Sequence, residues 1–134
     1  MSSCIFCSIV EGRLPAYIVY EDEYFMAIVD RYPSTKGHVL ILPKRHAADL
    51  YELNENEAAM LMPLAQKVAD KIRSKLDIAG LNLMQNNGKA AGQVVFHFHL
   101  HLIPRYENDG VVIKASHTSQ TPEELEQIAE LLRL

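Results

Sequence analysis

The sequence predicts an α+β fold in which an antiparallel sheet of about five strands packs with one long helix and a C-terminal helix. Short runs of aliphatic, β-branched and aromatic residues follow one another along the chain, which favours antiparallel pairing between neighbours. An apolar stripe at helical spacing separates these runs, and a second capped helix closes the sequence. With 134 residues, 49% of them hydrophobic, we expect a single domain over 1–134 that needs no disulfides.

The first three strands are predicted in the amino-terminal third. Residues 16–20 and 24–30 indicate a hairpin, because β-branched and aromatic residues flank a polar turn. Residues 31–36 indicate a loop. A third strand over 37–42 is expected to end at Pro43, which lacks the N–H that a strand ladder uses.

Two helices are predicted from their capping signals. The long helix spans 54–76, where Asn54 caps it and Glu57 completes a capping box. Its core-facing stripe consists of Leu61, Ala65, Val68, Ile72 and Leu76. The C-terminal helix begins after Thr121, with Glu124 as the corresponding box partner. Its apolar face consists of Leu125, Ile128, Ala129 and Leu132.

A run of histidines marks the fifth strand. After a fourth strand over 81–85 and a turn, residues 93–103 alternate polar and apolar side chains, which is the period of a β-strand. We therefore expect His97, His99 and His101 to share one face. The opposite, core-facing row consists of Val94, Phe96, Phe98, Leu100 and Leu102. Since histidine has no special strand propensity, three in alternation indicate a function.

Two chemistries suit these histidines: a metal site built from all three, or histidine catalysis on a phosphate. In a strand, Cα atoms two residues apart are separated by about 6.6 Å and those four residues apart by about 13 Å. Two imidazoles can reach one ion at about 2.1 Å, but the third strains the span. The spacing therefore favours catalysis by an imidazole that is mostly neutral at pH 7.

Charge and cysteine content limit the partners and the compartment. The net charge is −4 and the chain has no lysine or arginine run, so we expect no nucleic-acid partner. No segment approaches about 20 apolar residues, so we expect no membrane association and a cytoplasmic location. Cys4 and Cys7 form a C-x-x-C pair. In a reducing compartment this pair favours metal or redox use over a structural disulfide.

The motifs in this chain resemble those of the histidine triad (HIT) family. Residues 97–103 match the pattern His-φ-His-φ-His-φ-φ at every position. Further blocks agree in order: Cys4–Cys7, Gly37–Lys44, Gln85–Gly88 and Ala91–Gln93. The resemblance covers residues 4–110 and leaves 111–134 as a tail. It implies a HIT-like fold and a homodimeric nucleotide hydrolase or transferase that attacks the α-phosphate.

The resemblance also implies roles for polar residues of the site. His99 corresponds to the nucleophile, which forms a covalent nucleotidyl-histidine that water then cleaves. His101 corresponds to a phosphate contact and possible proton source, and His38 to a further histidine beside the triad. Asn86 and Gln93 correspond to residues that hold the phosphate and neighbouring groups, where donors stabilise developing charge.

Binding of a purine nucleotide or nucleotide conjugate is implied for a second set of residues. Asp30 corresponds to the acceptor of the ribose hydroxyls, although a turn-capping aspartate fits the same position. The base-lining positions are Phe6, Ile9, Ile28 and Leu40, which are otherwise ordinary core residues. Many relatives have Ser or Thr where this chain has Val94, so the leaving group must take its proton from His101, from water or from the substrate.

A structural zinc site is implied for the C-x-x-C pair. In some bacterial-type members the pair is completed by two histidines, which correspond here to His46 and His97. Together with Cys4 and Cys7 they form a closed Cys2His2 set, typical of structural zinc. The alternative is a pair of free thiols with a hydrogen-bonded His97.

Three functional hypotheses follow. The first is a zinc-braced hydrolase that uses His99 on nucleoside phosphoramidates or dinucleoside polyphosphates and releases a nucleoside monophosphate. The second is a nucleotide-binding regulatory module with negligible turnover. The third is a metal hydrolase with the three triad histidines as ligands.

Overall fold

The computed structural model describes residues 3–113 and 116–134 and has one five-stranded antiparallel sheet, which confirms the predicted α+β fold. The strands are β1 (Ile18–Glu21), β2 (Phe25–Val29), β3 (Val39–Pro43), β4 (Gly80–Met84) and β5 (Leu100–Arg105). Their order across the sheet is β1-β2-β3-β5-β4. The strand that ends the histidine motif therefore lies between β3 and the edge strand β4.

Three α-helices accompany the sheet in the described ranges: α1 (Ile5–Val10), α2 (Glu55–Lys75) and α3 (Pro122–Leu132). Both predicted capping boxes are confirmed, at Asn54 and at Thr121. The sequence does not predict α1, because six residues are too short to show a helical period. Its N-cap is Cys4, whose sulfur accepts a hydrogen bond from the Cys7 N–H at 3.4 Å. No helix in the described ranges is long and apolar enough to cross a membrane.

The two faces of the sheet bury different clusters because successive strand residues point in opposite directions. One face packs against α2 through Ala27, Val39, Ile41, Leu100 and Leu102, together with the predicted helix stripe. The other face packs against Phe6 of α1 through Met26, Ile28, Leu40 and Leu42. Leu40 is the cross-strand partner of His101. The His101 side chain is therefore on the α1 face.

The predicted histidine strand is only partly correct. Residues 95–97 bend, and β5 begins at Leu100. Phe98 is buried as expected, but Val94 is 85% exposed and Phe96 is 49% exposed. The reason is that residues 93–99, here called the histidine segment, do not pair with β3; the Phe98 N–H instead bonds the Ala47 carbonyl at 2.6 Å. Strand alternation cannot continue through this bend.

Pro104 lies inside β5 rather than at its end. The β3–β5 pairing stops at Val39 and Leu102, so no strand faces Pro104 on that side. The Pro104 carbonyl instead accepts a hydrogen bond from Thr35 Oγ1 at 2.5 Å, while the Arg105 carbonyl bonds Ala79 on the β4 side. The missing proline N–H therefore removes no ladder hydrogen bond.

Phe96 and Phe98 give a matched test of this fold. Phe98→Ala is expected to lower the free energy of unfolding by about 3–5 kcal/mol, because it opens a cavity in the core. Phe96→Ala is expected to cost less than about 1.5 kcal/mol, because its ring is half exposed. Urea unfolding measures both. Equal losses would contradict the bend in the histidine segment.

Candidate active site and metal centre

A cavity of about 340 Å³ opens on the α1 face of the sheet. Its walls come from α1, residues 14–17, the end of β2, β3 and the histidine segment. The predicted site residues that line it are Phe6, Ile9, Ile28, Asp30, Leu40, His99 and His101. Three others, His38, Asn86 and Gln93, do not line it. Most of the wall is apolar, and Asp30 and the two histidines bring polar groups to it.

The ring of His99 is oriented by the backbone of its own segment. Its Nδ1 lies 2.7 Å from the His97 carbonyl oxygen. Because a carbonyl only accepts, Nδ1 carries the proton and Nε2 keeps its lone pair. Burial lowers the pKa of His99, although the hydrogen bond to His97 and the charge of Asp30 oppose this shift. Phe6 packs edge-on against the ring, with the centroids 5.0 Å apart. His99 is thus a neutral imidazole held in one tautomer.

His38 connects the backbone to His101. The Ser34 N–H donates to His38 Nδ1 at 3.0 Å, so the proton of the neutral His38 ring is on Nε2. That Nε2 lies 2.9 Å from His101 Nδ1 and 3.4 Å from an Asp30 carboxylate oxygen. When His38 donates to His101, the proton of the neutral His101 ring is on its own Nε2. His101 can therefore donate a hydrogen bond without carrying charge.

Burial lowers the pKa of all three of these imidazoles. For His101 the shift reaches a pKa of about 4, because desolvation and the neighbouring His99 and His38 disfavour a second proton more than Asp30 favours it. The pKa of His38 is also lowered, chiefly by desolvation. The cavity histidines are therefore neutral at pH 7.

Asn86 and Gln93, which do not line the cavity, organise the loop before the histidine segment. Gln93 is buried; its Oε1 accepts from the Gly88 N–H at 2.7 Å, and its Nε2 donates to the carbonyls of Ala48 at 2.6 Å and Val95 at 3.0 Å. Asn86 Nδ2 lies 3.5 Å from the Gly92 carbonyl. In this structure the amide of Gln93 holds backbone rather than facing the cavity.

Four donor atoms of the predicted metal set converge beside α1. The Cys7 sulfur lies 3.2 Å from His46 Nδ1 and 3.5 Å from His97 Nδ1, and the two Nδ1 atoms are 3.2 Å apart. The Cys4 sulfur lies 3.4 Å from His97 Nδ1. Bond lengths of about 2.0–2.1 Å to nitrogen and about 2.3 Å to sulfur give tetrahedral edges of about 3.3–3.8 Å. The spacing therefore fits one zinc-sized ion.

The protonation of His97 also fits a metal ligand. His97 Nε2 lies 2.7 Å from the Pro43 carbonyl oxygen and must carry the proton, which leaves Nδ1 as a lone-pair donor.

Next to His46, Arg45 forms two hydrogen bonds with the buried carboxylate of Glu57, at 2.7 and 3.1 Å. This pair fixes the loop that carries His46 to the first turn of α2.

A second group, Asp30, His38 and His101, has donor atoms within 4.8 Å of one another. It does not fit a metal in this arrangement, because the Ser34 N–H at Nδ1 leaves the His38 proton on Nε2, where a ligand lone pair is needed. Among the described residues, no converging donor group contains all three triad histidines. The arrangement therefore argues against the metal-hydrolase hypothesis.

Several contributors to the site are missing from the sequence-based prediction. The backbone of Ser34 sets the protonation of His38, and Tyr17 and Tyr32 form an exposed rim of the cavity. A backbone donor leaves no signal in residue type. The rim tyrosines lie outside the motif blocks, so nothing in the sequence marked them.

Comparison with known proteins identifies the family. The fold and site define a class of antiparallel-sheet proteins with a histidine-lined pocket, and the family model described as HIT domain matches residues 11–108. The chain therefore belongs to the HIT domain family. A crystal structure of a HIT family protein from Bacillus anthracis is 43% identical, covers 98% of this chain and 95% of its own, and has a TM-score of 0.88.

Two further relatives bear on chemistry. A Schizosaccharomyces pombe protein named adenosine 5'-monophosphoramidase hnt1 is 38% identical over 129 residues, which span 96% of this chain and 94% of that protein. A zinc-bound histidine triad family protein from Mycobacterium smegmatis is 36% identical, covers 96% of this chain and 97% of its own, and has a TM-score of 0.78.

The lowered pKa of His101 predicts a pH-dependent stability. Between about pH 6.5 and about pH 4 the unfolded chain binds a proton at this position that the folded protein does not, so the free energy of unfolding falls as the pH is lowered through this range. Urea unfolding at pH 7.5 and pH 5 should show a smaller fall for His101→Gln than for the wild type. The exposed His117→Gln is the control. Identical falls in all three proteins would contradict the burial effect.

Proposed function

We propose that this protein is a nucleotide hydrolase that acts at the α-phosphate of a nucleotide conjugate through a covalent nucleotidyl-His99 and releases a nucleoside monophosphate. One observation carries the proposal. The His99 Nδ1 proton is held by the His97 carbonyl, which leaves Nε2 as a lone pair on a ring that lines the cavity. A neutral, oriented imidazole is what nucleophilic attack on phosphorus requires.

The cavity walls support binding of a purine nucleotide. Its apolar part, formed by Phe6, Ile9, Ile28 and Leu40, suits a flat base. Asp30 directly follows strand β2, and one of its oxygens is fixed by the Tyr32 N–H at 2.9 Å. A carboxylate held in this way can accept hydrogen bonds from both ribose hydroxyls. The base and ribose would then place the α-phosphate against His99 and His101.

The reaction proceeds in two displacements. The lone pair of His99 Nε2 forms a bond to phosphorus, the bond to the leaving group breaks, and its electron pair departs with that group. The nucleotidyl-imidazolium keeps the proton on Nδ1, and this N–H still donates to the His97 carbonyl. A water molecule then attacks phosphorus and releases one proton to the solvent, the P–N bond breaks, and the electron pair returns to Nε2. Splitting one displacement into two lowers each barrier.

Nucleoside phosphoramidates and dinucleoside polyphosphates are the two substrate classes that this chemistry covers. Both present an α-phosphate with a leaving group opposite the nucleophile. The Schizosaccharomyces pombe relative supports the phosphoramidate branch.

We further propose that the protein works as a homodimer; β4 is an edge strand and the apolar side chains of α3 are exposed, so both are available for association.

Trapping of the intermediate tests the proposal. The protein is mixed with adenosine phosphoramidate or a diadenosine polyphosphate, quenched without acid, and analysed by intact-mass and peptide mass spectrometry. An AMP adduct on the peptide that contains His99 is expected, and the better substrate identifies the branch. His99→Ala should lack the adduct and lose at least about 10³-fold in kcat. His117→Ala should match the wild type.

The alternative hypothesis, a nucleotide-binding regulatory module, predicts a different result in the same experiment. Nucleotide binding without an adduct and without AMP release from either compound would contradict hydrolysis and favour a binding protein.

We also propose a structural zinc ion held by Cys4, Cys7, His46 and His97. The convergence of the four donors supports this, as does the zinc-bound Mycobacterium smegmatis relative. With four protein ligands the ion would have no open position and would contribute folding free energy rather than chemistry. It would connect α1, which carries Phe6 and Ile9 of the cavity, to the histidine segment.

Metal analysis of a cysteine variant tests the zinc site. Wild-type protein purified with zinc is expected to hold about one equivalent per chain by elemental analysis, whereas Cys7→Ser should hold much less and unfold at a lower temperature. Chelation should inactivate the wild type slowly, through unfolding. Immediate loss of activity on addition of the chelator would contradict a purely structural ion.

A further inference from the structure

The hydrogen bonds around His101 limit the protons that it can hold. The backbone N–H of Ser34 occupies one side of His38, so the only ring proton of His38 is on the side that faces His101. A proton on His101 Nδ1 would then point at the His38 proton across 2.9 Å. The imidazolium form of His101 is therefore incompatible with this chain of hydrogen bonds.

The other side chains of the cavity do not replace it as a proton donor. His99 commits its proton to the His97 carbonyl, and its second nitrogen is the nucleophile. Asp30 is an acceptor. The remaining N–H and O–H groups of the lining side chains belong to Tyr17, Arg31 and Tyr32, which are exposed at the rim. Val94, 85% exposed, offers no hydroxyl.

We propose that His101 acts as a neutral hydrogen-bond donor to the phosphate and not as a general acid, so that the site selects conjugates whose leaving group departs without a proton from the protein. This inference rests on the proposed hydrolase. Two classes meet the requirement. A phosphate or polyphosphate departs as a stable anion, and an amine departs after its nitrogen has taken a proton from water. Simple alkyl esters meet neither condition, because an alkoxide is a poor leaving anion and an ester oxygen takes a proton from water less readily than a phosphoramidate nitrogen does.

The electron and proton balance of the first step follows from this assignment. The His99 Nε2 lone pair forms the N–P bond, and the pair of the breaking bond leaves on the departing atom. His101 keeps its Nε2 proton and hydrogen-bonds a phosphate oxygen that does not leave. For a phosphoramidate substrate, water supplies the proton to the departing nitrogen. The hydroxide that this leaves is neutralised by the buffer. No protein side chain other than His99 changes its bonding.

A leaving-group series distinguishes a hydrogen-bond donor from a general acid. AMP esters of substituted phenols of increasing pKa are hydrolysed by the wild type, and kcat/KM is expected to fall steeply as the phenol pKa rises, because the phenolate leaves without a proton. His101→Ala is expected to lose about 10²–10³-fold on every ester, since it removes one donor to the charged phosphate. The two plots should be parallel, and the exposed His117→Ala should overlay the wild type.

The pH profile gives a second readout. Without an essential acid, kcat/KM of the wild type should show no alkaline limb between about pH 7 and about pH 9.

Two results would overturn the inference. Diverging plots, in which His101→Ala loses progressively more on the poorer leaving groups, would show that His101 delivers a proton. An alkaline limb in the wild type that disappears in His101→Ala would show the same. Failure of the proposed function has a different signature: no AMP release from any ester and no adduct on His99, which would overturn both proposals.

Discussion

The chemistry of this site depends on one constraint: a neutral imidazole has a single ring proton, and backbone groups decide which nitrogen carries it. Carbonyl oxygens of Pro43 and His97 hold the protons of His97 and His99, respectively. The Ser34 N–H does the reverse for His38 by occupying its Nδ1. These contacts give similar side chains different properties. His97 keeps its lone pair on Nδ1, His99 keeps its lone pair on Nε2, and His38 carries its proton on the nitrogen that faces His101.

The bend at residues 95–97 makes this division possible. In a continuous strand the three triad histidines would share one face and one environment. Because the histidine segment leaves the sheet, His97 turns toward Cys4 and Cys7, while His101 stays on β5 opposite Leu40. The end of β3 and the loop after it hold the segment in place, since the carbonyls of residues 43, 47 and 48 each accept a hydrogen bond from it. The Cys2His2 cluster and the cavity therefore both depend on the histidine segment, although no member of the cluster lines the cavity.

Much of the fold follows from local sequence signals. The capping boxes at Asn54 and Thr121 and the hairpin of β1 and β2 were accessible because each rests on residues close in sequence. The exposure of Phe96 was not accessible in this way, because strand alternation is a local pattern. The bend that exposes Phe96 is set by the hydrogen bond of Phe98 to Ala47, which is distant in sequence. The short α1 has too few residues to show periodicity.

For the candidate site, the sequence indicated which side chains come together but not the backbone contacts that orient them. The family resemblance indicated seven of the residues that line the cavity and the four whose donor atoms converge beside α1. It did not reveal that the amide of Gln93 bonds backbone groups, or that the Ser34 N–H fixes His38, because neither depends on a recognisable residue pattern. Residue types therefore indicated which side chains meet, and backbone geometry determined what each can do.

In the proposed reaction phosphorus is attacked twice, first by His99 and then by water. The stereochemical course at phosphorus tests it most directly. A P-chiral adenosine phosphorothioate conjugate is hydrolysed in ¹⁸O-labelled water, and the configuration of the labelled product is determined by ³¹P NMR. Because each in-line displacement inverts the centre, net retention is predicted. Net inversion would indicate a single attack by water and would contradict a covalent nucleotidyl-histidine.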